Sequence, residues 1–569
     1  MKRKIILILL STICLTSCNH KTSDSTITRE VKEIQLTSLT KADTTYNDSD
    51  SVKELNMNTL YSNNETPHLN PIGNQNVLVV PFSFEKDTTD VNDTITSDAS
   101  LLEKISTTFT ANEEEINSKG GNISVKDFYN KSSYGKSNIQ IDVLNTFVKY
   151  SGTPSKFKQD VGSKNAGVFA SSYISEYYNT EYNKVNHGQL GSAAKPLTYY
   201  DSDKDGFIDL MWIVYSYPYD QGDTSLWWAY VTYTGNSADI DNPTVQTLGW
   251  ASSDFLYSDS SDGYDAHTFI HETGHTYGLS DYYDYNRMTS PLGGVDYMDQ
   301  NLGDHCAYSK FALGWINPYV VKEEDLKDND IELNLNALTT SSEAIVLASP
   351  SYNNTAFDEY FMIELVAPVS FAKKDYLEGY SIDGYSKPGI RITHIDSRVY
   401  DLDHDTYLKT KEEVFFNGKA LRLSNSYLGR ISLFYDGDYF EVDNGKQKNK
   451  RSYSLISLME SNIKDINTTN SASYTATNDS LFKQGDSFYL QKDNKPSIWA
   501  KTYMPSESAL YNKSKTITGW KSTTEQEYNI DENMKFPFKI DVLDIKEDNT
   551  YGYTSKIKIS IIQWGKNEK

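Results

Sequence analysis

The chain has 569 residues, of which 38% are hydrophobic and 23% charged, a composition typical of a soluble globular protein and not of a membrane protein. At about 100 to 200 residues per domain, this length predicts about three or four domains. The 54 Lys and Arg residues against 78 Asp and Glu give a net charge of −24. Nucleic-acid binding depends on clustered Lys and Arg, so this balance argues against DNA or RNA as a partner.

The N-terminus has the parts of an export signal. Three basic residues precede the short apolar run Ile5–Leu10, and the small residues of Leu15-Thr-Ser-Cys18 follow. This ending resembles the lipobox of bacterial lipoproteins, in which the cysteine is acylated and becomes the first mature residue. We therefore expect a signal peptide at 1–17 and a chain anchored by lipid at Cys18 on the bacterial cell surface. The alternative is an ordinary secretory signal with a chance cysteine.

Cysteine usage leaves no intrachain disulfide to expect. Of three cysteines, Cys14 is lost with the signal and Cys18 carries the lipid, so only Cys306 remains. Cys306 follows His305, and a Cys/His nucleophile therefore has to be considered. Sequence adjacency gives no catalytic geometry, so a buried structural thiol is the favoured interpretation.

In chain order, the first segment is a polar one at 18–75, rich in Ser, Thr, Asn, Asp and Lys. It is typical of a tether or a short pro-region, because it cannot bury enough apolar surface to offset the entropy of ordering. Ordered structure is expected to begin with the apolar run Asn76–Phe84, which is typical of a buried strand. The next predicted elements are a helix, two strands and a helix, at 99–118, Ser137–Asn145, Leu210–Tyr215 and 265–277.

The character of the chain changes after Gly314-Trp-Ile-Asn-Pro318. Beyond this point strand follows strand, several of them alternating apolar and polar residues as a half-exposed sheet does. The predicted strands are Ile331–Leu335, Ala344–Ala348, Tyr360–Leu365, Gly389–His394, Leu455–Leu458, Phe538–Val542 and Lys556–Ile561. We therefore expect one domain at 76–320 and a β-rich region of one or two modules at 321–569, with sandwich-like packing.

One motif carries most of the chemical information. His271 and His275 stand four residues apart, so on a helix they project from one face and can bind one metal ion. Neutral imidazole suits zinc, and Glu272 between them can serve as general base toward a water at the metal. This spacing favours a catalytic zinc site over a helix with two structural histidines.

The residues after the motif offer a third ligand. Gly278 can end the helix with the positive φ that other residues resist, so the chain can turn back toward the histidines. Asp281 then becomes the favoured third ligand, with Asp284 as the alternative. Three protein ligands and an open fourth position are typical of catalytic zinc.

The pattern His-Glu-x-x-His-x-x-Gly-x-x-Asp is similar to the metzincin-type motif of the immune inhibitor A (M6) metallopeptidases. Metzincins place a methionine in a tight turn beneath the metal, and Met298 of Asp296-Tyr-Met298 occupies the matching place, 298 − 275 = 23 residues past the second histidine. Further segments resemble the family: Val125–Gly135, Leu279–Asp284, Ala307–Trp315, Glu359–Glu364 and Gly389–Asp396. The resemblance implies an α+β metzincin-like zinc peptidase domain followed by a β-rich, sandwich-like C-terminal region.

The same resemblance implies a secreted, surface-anchored zinc metalloendopeptidase that hydrolyses peptide bonds of extracellular proteins, with Glu272 as base. Its partners would be proteins or peptides and, through the N-terminal lipid, a membrane; we expect a monomer. Substrate would lie extended along an edge strand, for which Ala229–Tyr233 is the candidate. Metzincins often stabilise the oxyanion with a tyrosine near the methionine turn, and Tyr297, Tyr308 and His305 all remain open.

A second candidate metal site is an acidic loop that precedes the strand at 210–215. Its carboxylates stand at positions one, three, five and nine, a glycine at six, and position seven offers its carbonyl, as in a calcium loop. The carboxylates are Asp201, Asp203, Asp205 and Asp209, the glycine is Gly206, and the carbonyl belongs to Phe207. Trp212 replaces the glutamate of an EF-hand at position twelve, which excludes a complete EF-hand. The M6 family has a similar loop, so a structural calcium site is expected; the alternative is a solvated acidic turn.

Two other functions compete with this interpretation. One is a metallopeptidase directed at glycoproteins, although such families place the third ligand much later in sequence. The other is a non-catalytic surface adhesin whose C-terminal β region binds glycans, with Trp499 and Trp520 as an aromatic platform. Glu272 discriminates between enzyme and binder, because a binder does not need an acid between two metal-spaced histidines.

Overall fold

The computed structural model describes most of the chain between residues 69 and 401 and several segments outside it. The described ranges are 29–36, 56–57, 60, 69–86, 97–219, 224–257, 263–282, 292–299, 303–349, 351–376, 385–401, 406–407, 421–423, 440–443, 446–449, 455–461, 476–492, 495–496 and 538–562. The predictions for Cys18, Asp284, Trp499 and Trp520 lie outside these residues. Within them, no helix combines the length and the apolar character that a bilayer crossing requires.

The helices of the described residues concentrate before residue 320. They are α1 (Ala99–Thr110), α2 (Glu113–Ser118), α3 (Val125–Ser132), α4 (Pro154–Val161), α5 (Ala166–Tyr182), α6 (Thr224–Trp227), α7 (His267–Thr276), α8 (Ala307–Ala312) and α9 (Leu338–Ser341). The single helix predicted at 99–118 is in fact two. Ala111 has extended backbone, and the Asn112 side chain accepts a hydrogen bond from the Glu115 N–H and so starts a second helix.

The strands continue from residue 30 to residue 561. They are β1 (Glu30–Ile34), β2 (Gly73–Ser83), β3 (Ser137–Val143), β4 (Val148–Lys149), β5 (Phe207–Ile208), β6 (Leu210–Tyr215), β7 (Tyr230–Tyr233), β8 (Thr244–Val245), β9 (Thr247–Ser252), β10 (Tyr319–Lys322), β11 (Asn329–Asn336), β12 (Ile345–Ala348), β13 (Glu359–Val366), β14 (Gly389–Asp396), β15 (Val399–Asp401), β16 (Thr406–Tyr407), β17 (Leu421–Leu423), β18 (Phe440–Asp443), β19 (Lys446–Asn449), β20 (Ile456–Leu458), β21 (Ser487–Tyr489), β22 (Gln491–Lys492), β23 (Lys495–Pro496), β24 (Phe538–Asp548) and β25 (Gly552–Ile561). Strands overlap all seven segments predicted beyond residue 320.

The first large sheet has the order β3-β2-β6-β9-β7, with β4 also paired to β2. Its strands are parallel except β7, which runs antiparallel to β9 and forms an edge. Side chains of β6 alternate between two cores: Trp212 packs on the face that carries α7, and Ile213 packs on the face that carries α5. A strand buried on both faces is apolar throughout, which is why the segment 210–215 could be predicted with its correct bounds.

Two five-stranded sheets follow, in the orders β10-β12-β13-β14-β20 and β1-β11-β25-β24-β21. Alternate residues of both sheets, such as Ile363 and Ile557, meet in one shared core. The opposite face of the first of these sheets contributes Val346 and Met362 to the core that contains Met298 of the upstream half. One hydrophobic core therefore crosses the predicted boundary between residues 320 and 321.

The segment predicted as a polar tether contributes to the fold. Strand β1 pairs in parallel with β11, and Arg29 Nε donates to Asp330 Oδ1 at 2.8 Å. Further along, the carbonyl of Pro71 accepts a hydrogen bond of 2.8 Å from the Trp315 indole. The expectation that ordered structure begins at Asn76 is therefore wrong. Residues of β1 are mostly exposed, so main-chain pairing and an ion pair order them, and composition does not reveal this.

Candidate metal centre

Helix α7 carries His271, Glu272 and His275 within little more than one helical turn. His271 and Glu272 are buried, and His275 is half-buried. The helix ends at Thr276, and Gly278 just beyond it has a φ of 92°, in the left-handed region, which lets the chain reverse. The reversal brings Asp281, which is 6% exposed, back toward the two histidines.

The three predicted ligands converge on one point. The distance from His271 Nε2 to Asp281 Oδ1 is 2.9 Å, and that from His275 Nε2 to the same oxygen is 3.3 Å. One ligand atom from each residue lies within 4.8 Å of the others. Ligands around a tetrahedral zinc, at bonds of about 2.0 to 2.1 Å, stand about 3.3 Å apart, so this spacing fits a zinc ion.

Hydrogen bonds fix which nitrogen each imidazole offers. His271 Nδ1 lies 2.6 Å from the Tyr297 carbonyl oxygen, and His275 Nδ1 lies 2.8 Å from that of Leu279. A carbonyl only accepts, so each Nδ1 carries the proton and donates it. In its neutral form each ring then has its lone pair on Nε2, on the side that faces Asp281. Metal-binding histidines commonly donate the other ring N–H to a backbone carbonyl in this way, which orients the ring toward the metal.

The charges at the site favour a bound cation. Burial would raise the pKa of Asp281, but hydrogen bonds and the charges of the two histidines hold it well below its usual range. Burial lowers the pKa of His275, and the hydrogen bond and charge of Asp281 outweigh it and raise that pKa to about 9. The pKa of His271 is also raised, because the same carboxylate outweighs burial. An anionic Asp281 thus attracts positive charge to both rings.

Glu272 lies between the histidines and the edge strand. Its carboxylate accepts a hydrogen bond from the backbone N–H of Val231 in β7. Burial raises its pKa, while the charges of His275 and His271 lower it in part. Glu272 therefore lies beside the candidate metal ligands and next to strand β7, which is an edge of the first sheet among the described residues.

The turn around Met298 lies beneath helix α7. A side chain at Gly274, between the two histidines, would collide with the sulfur of Met298. Two consecutive carbonyls of the turn reach the ligand residues: that of Tyr297 accepts from His271, and that of Met298 accepts from the Tyr282 N–H at 2.7 Å, beside Asp281. The turn that carries Met298 thus packs against helix α7 and is hydrogen-bonded to the residues around the candidate metal ligands.

The remaining candidates near the turn are buried. Tyr297, Tyr308 and His305 are each 1% exposed or less, so burial does not single out one of them as oxyanion stabiliser. His305 directs Nδ1 to Asp296 at 3.0 Å, and Cys306 is buried, with burial raising the pKa of its thiol. The structure therefore does not assemble a Cys/His nucleophile, in agreement with the favoured interpretation of Cys306.

The sequence did not single out Asp296, although it lies at the centre of this region. Its carboxylate accepts four hydrogen bonds: from the Met298 N–H at 2.8 Å and His305 at 3.0 Å on one oxygen, and from the Cys306 N–H at 2.7 Å and Ser309 Oγ at 2.9 Å on the other. Its only signal in the sequence is its place two residues before the methionine. The partners come from a turn and a helix whose approach depends on the fold.

The acidic loop at 201–209 brings three of its predicted ligands together. Asp201, Asp203 and Asp209 each place an oxygen within 4.8 Å of the others. Asp205 is not in this cluster; its Oδ1 accepts from the Phe207 N–H at 2.8 Å. The loop turns at Gly206, whose φ is 89°.

Burial and mutual repulsion disfavour the ionised form of the carboxylates in this loop. Burial raises the pKa of Asp209 to about 7, although hydrogen bonds from Ser202 and Asn76 partly oppose the shift. Burial and the charge of Asp203 raise the pKa of Asp205 to about 6. A cation among these oxygens would offset the repulsion, which favours the calcium interpretation over a solvated turn.

Comparison with protein-family models and with curated proteins finds no match to this chain.

Proposed function

We propose that this protein is a zinc-dependent endopeptidase of the bacterial cell surface, related to the immune inhibitor A (M6) metallopeptidases. The observation that carries the proposal is the convergence of His271, His275 and Asp281 on one point, with Glu272 beside it. Two imidazoles and a carboxylate leave a fourth position open, as a catalytic zinc requires. The His-Glu-x-x-His motif and the methionine turn support the family assignment.

When bound, zinc lowers the pKa of a water molecule and polarises a peptide carbonyl. The chain's own residues supply the rest. Glu272 accepts the proton of the attacking water and passes it to the amine that leaves. The Val231 N–H donates a hydrogen bond to this carboxylate, and burial raises the pKa of Glu272, which favours a group that must both take and release a proton.

The substrate is a polypeptide in extended conformation. Strand β7 ends the first sheet among the described residues, and Val231 of β7 contacts Glu272 directly. A peptide that pairs with this edge runs past the base with its backbone fixed by main-chain hydrogen bonds. The predicted substrate strand Ala229–Tyr233 coincides with β7 within one residue.

The decisive experiment compares residues 19–569 with the Glu272→Gln variant on casein in the presence of zinc. Wild type should release peptides and lose this activity to a zinc chelator. The variant should lose about 10²- to 10⁴-fold in rate, the range for a general base, and still bind one zinc per chain. Glu103→Gln, on the exposed face of α1, is the matched control and should keep full activity.

Stoichiometric zinc without hydrolysis of casein or of a diverse peptide library would contradict an endopeptidase. Failure to bind zinc at all would remove the basis of the proposal.

A further inference from the structure

An ion pair of the C-terminal sheet contacts the segment that carries the methionine turn. Glu364 of β13 and Arg391 of β14 stand opposite each other in the antiparallel register, and Arg391 Nε donates to Glu364 Oε1 at 2.9 Å. Glu364 is 1% exposed and Arg391 5%. A buried ion pair is by itself weak evidence for stability, because desolvation cancels much of the attraction. The contacts that the pair makes with other residues are therefore more informative.

Both members of the pair reach out of the sheet to the same loop. Arg391 Nη1 donates to the Val295 carbonyl oxygen at 3.2 Å, and Glu364 Oε2 accepts from the Ala307 N–H at 3.3 Å. Val295 directly precedes the turn that carries Met298, and Ala307 begins helix α8. The ion pair thus binds the two ends of the segment that contains the turn.

Inside the segment, Asp296 completes the connection. It binds the Met298 N–H on one side and the Cys306 N–H on the other, at 2.8 and 2.7 Å. The turn is thereby attached to α8 as well as to β14.

The turn in turn determines the position of two metal ligands. The Tyr297 carbonyl orients the His271 ring, and the Met298 carbonyl holds Tyr282, which is bonded directly to Asp281. A shift of the turn would rotate one ligand and displace the other. Orientation of this kind typically controls metal affinity by 10- to 100-fold.

We infer that the Glu364–Arg391 pair is a positioning element of the metal centre, through which the C-terminal sheet sets the geometry of His271 and Asp281. The inference rests on the proposed zinc site and assigns the C-terminal region a role in it. Arg391 and Glu364 act through the turn and touch neither metal nor substrate.

The test is the zinc affinity of the Arg391→Lys variant, measured by competition with a chromophoric chelator. Lysine keeps the charge and can still pair with Glu364, but its single ammonium cannot also reach the Val295 carbonyl in the same geometry. We expect the Kd for zinc to rise about 10- to 100-fold. The visible spectrum of the cobalt-substituted protein should change, and kcat should fall more than KM rises.

Arg398→Lys is the matched control. Arg398 is also buried in the C-terminal region, and it pairs with Asp396 at 2.6 and 2.7 Å. This variant should lower the melting temperature but leave zinc affinity and the cobalt spectrum as in wild type. If Arg391→Lys does not fold, Glu364→Gln, which weakens the contact to Ala307 and keeps Arg391, is measured in the same way.

Equal zinc affinity and equal cobalt spectra in wild type, Arg391→Lys and Glu364→Gln would overturn the inference, because the pair would then be structural only. This outcome differs from failure of the proposed function. Tight zinc binding without hydrolysis contradicts the peptidase, but the affinities still decide the role of the pair. A wild-type protein that binds no zinc overturns both.

Discussion

Gly274 shows how little room the metal centre leaves at the scale of one residue. A Cβ at this position would collide with the sulfur of Met298, whose side chain is fully buried. Gly274→Ala should therefore cost about 1 to 3 kcal/mol of unfolding free energy and weaken zinc binding, since the helix must move away from the turn. Urea unfolding and zinc competition measure the two effects.

Gly235→Ala is the control for this prediction, because a Cβ there meets nothing within 4 Å. If both alanines have the same small effect on stability and zinc affinity, α7 is not packed tightly on the turn.

Asp296 gives a pH dependence whose sign can be stated. Burial would raise its pKa, but the charge and hydrogen bond of His305 and the N–H groups of Met298 and Cys306 lower it to about 2. An unfolded aspartate titrates near 3.9, so this carboxylate stabilises the fold at pH values above about 4. The contribution, roughly 2 kcal/mol, is lost as the pH falls from about 4 through 2.

Asp296→Asn should remove this dependence. Unfolding free energies measured between pH 2 and 6 should fall less steeply with acid in the variant than in wild type, from a lower value at pH 6. Parallel curves would show that the pKa of Asp296 is not lowered in the folded protein as its hydrogen bonds indicate.

At this scale the sequence predicts what local geometry determines. His271, Glu272 and His275 follow from helical spacing, and Gly278 from its positive φ. Asp296 was not predicted because the sequence does not show that the segment 298–309 folds back around its carboxylate. Arg391 was not predicted because its partner Val295 lies far away in sequence. Arg391 is 96 residues from Val295, and no local pattern encodes that distance.

At the scale of elements, the loop 201–209 makes a prediction about calcium. Calcium at a hundredfold excess over its Kd should stabilise the protein by about 2.7 kcal/mol, visible as a rise in melting temperature. Asp201→Asn and Asp209→Asn should abolish the rise, because both residues belong to the cluster of three.

Asp241→Asn, in the exposed turn nearby, should retain the response to calcium. A melting temperature of wild type that does not change with calcium would identify the loop as an acidic turn without a cation.

Elements differ in how readily the sequence reveals them. The strand Leu210–Tyr215 was predicted with its correct bounds because both faces are buried and the apolar run is continuous. Helix α5 was not predicted, because small and polar residues share its buried side with apolar ones, as at Gly167, Ser171 and Glu181, and blur the helical period. Strand β1 was missed because pairing with β11, and not burial, orders it.

At the scale of the whole molecule, the shared core predicts that the two halves do not fold separately. Val346, Met362 and Ile395 lie beyond the predicted boundary, yet they pack in the core that holds Phe269 and Met298. A chain that ends at residue 320 leaves that face of the core exposed. We expect it to lack a cooperative thermal transition by circular dichroism.

A chain that ends at Ile562, which keeps every described strand, is the control and should melt as the full chain does. A cooperative transition and zinc binding by residues 19–320 would show that this half folds independently of the C-terminal sheets.

The place of β1 would limit how far the proposed peptidase can work from a membrane. If Cys18 carries the lipid, only 29 − 18 = 11 residue steps separate it from Arg29, which is fixed to Asp330. Eleven residues span at most about 40 Å, whereas a free tether to residue 75 would span about 200 Å. The β1 edge of the last sheet would then be kept close to the bilayer, and the range of action would be a thin layer above the lipid headgroups. Such an enzyme would cleave neighbours on its own surface, or proteins that come to it, and would not sweep the surrounding medium.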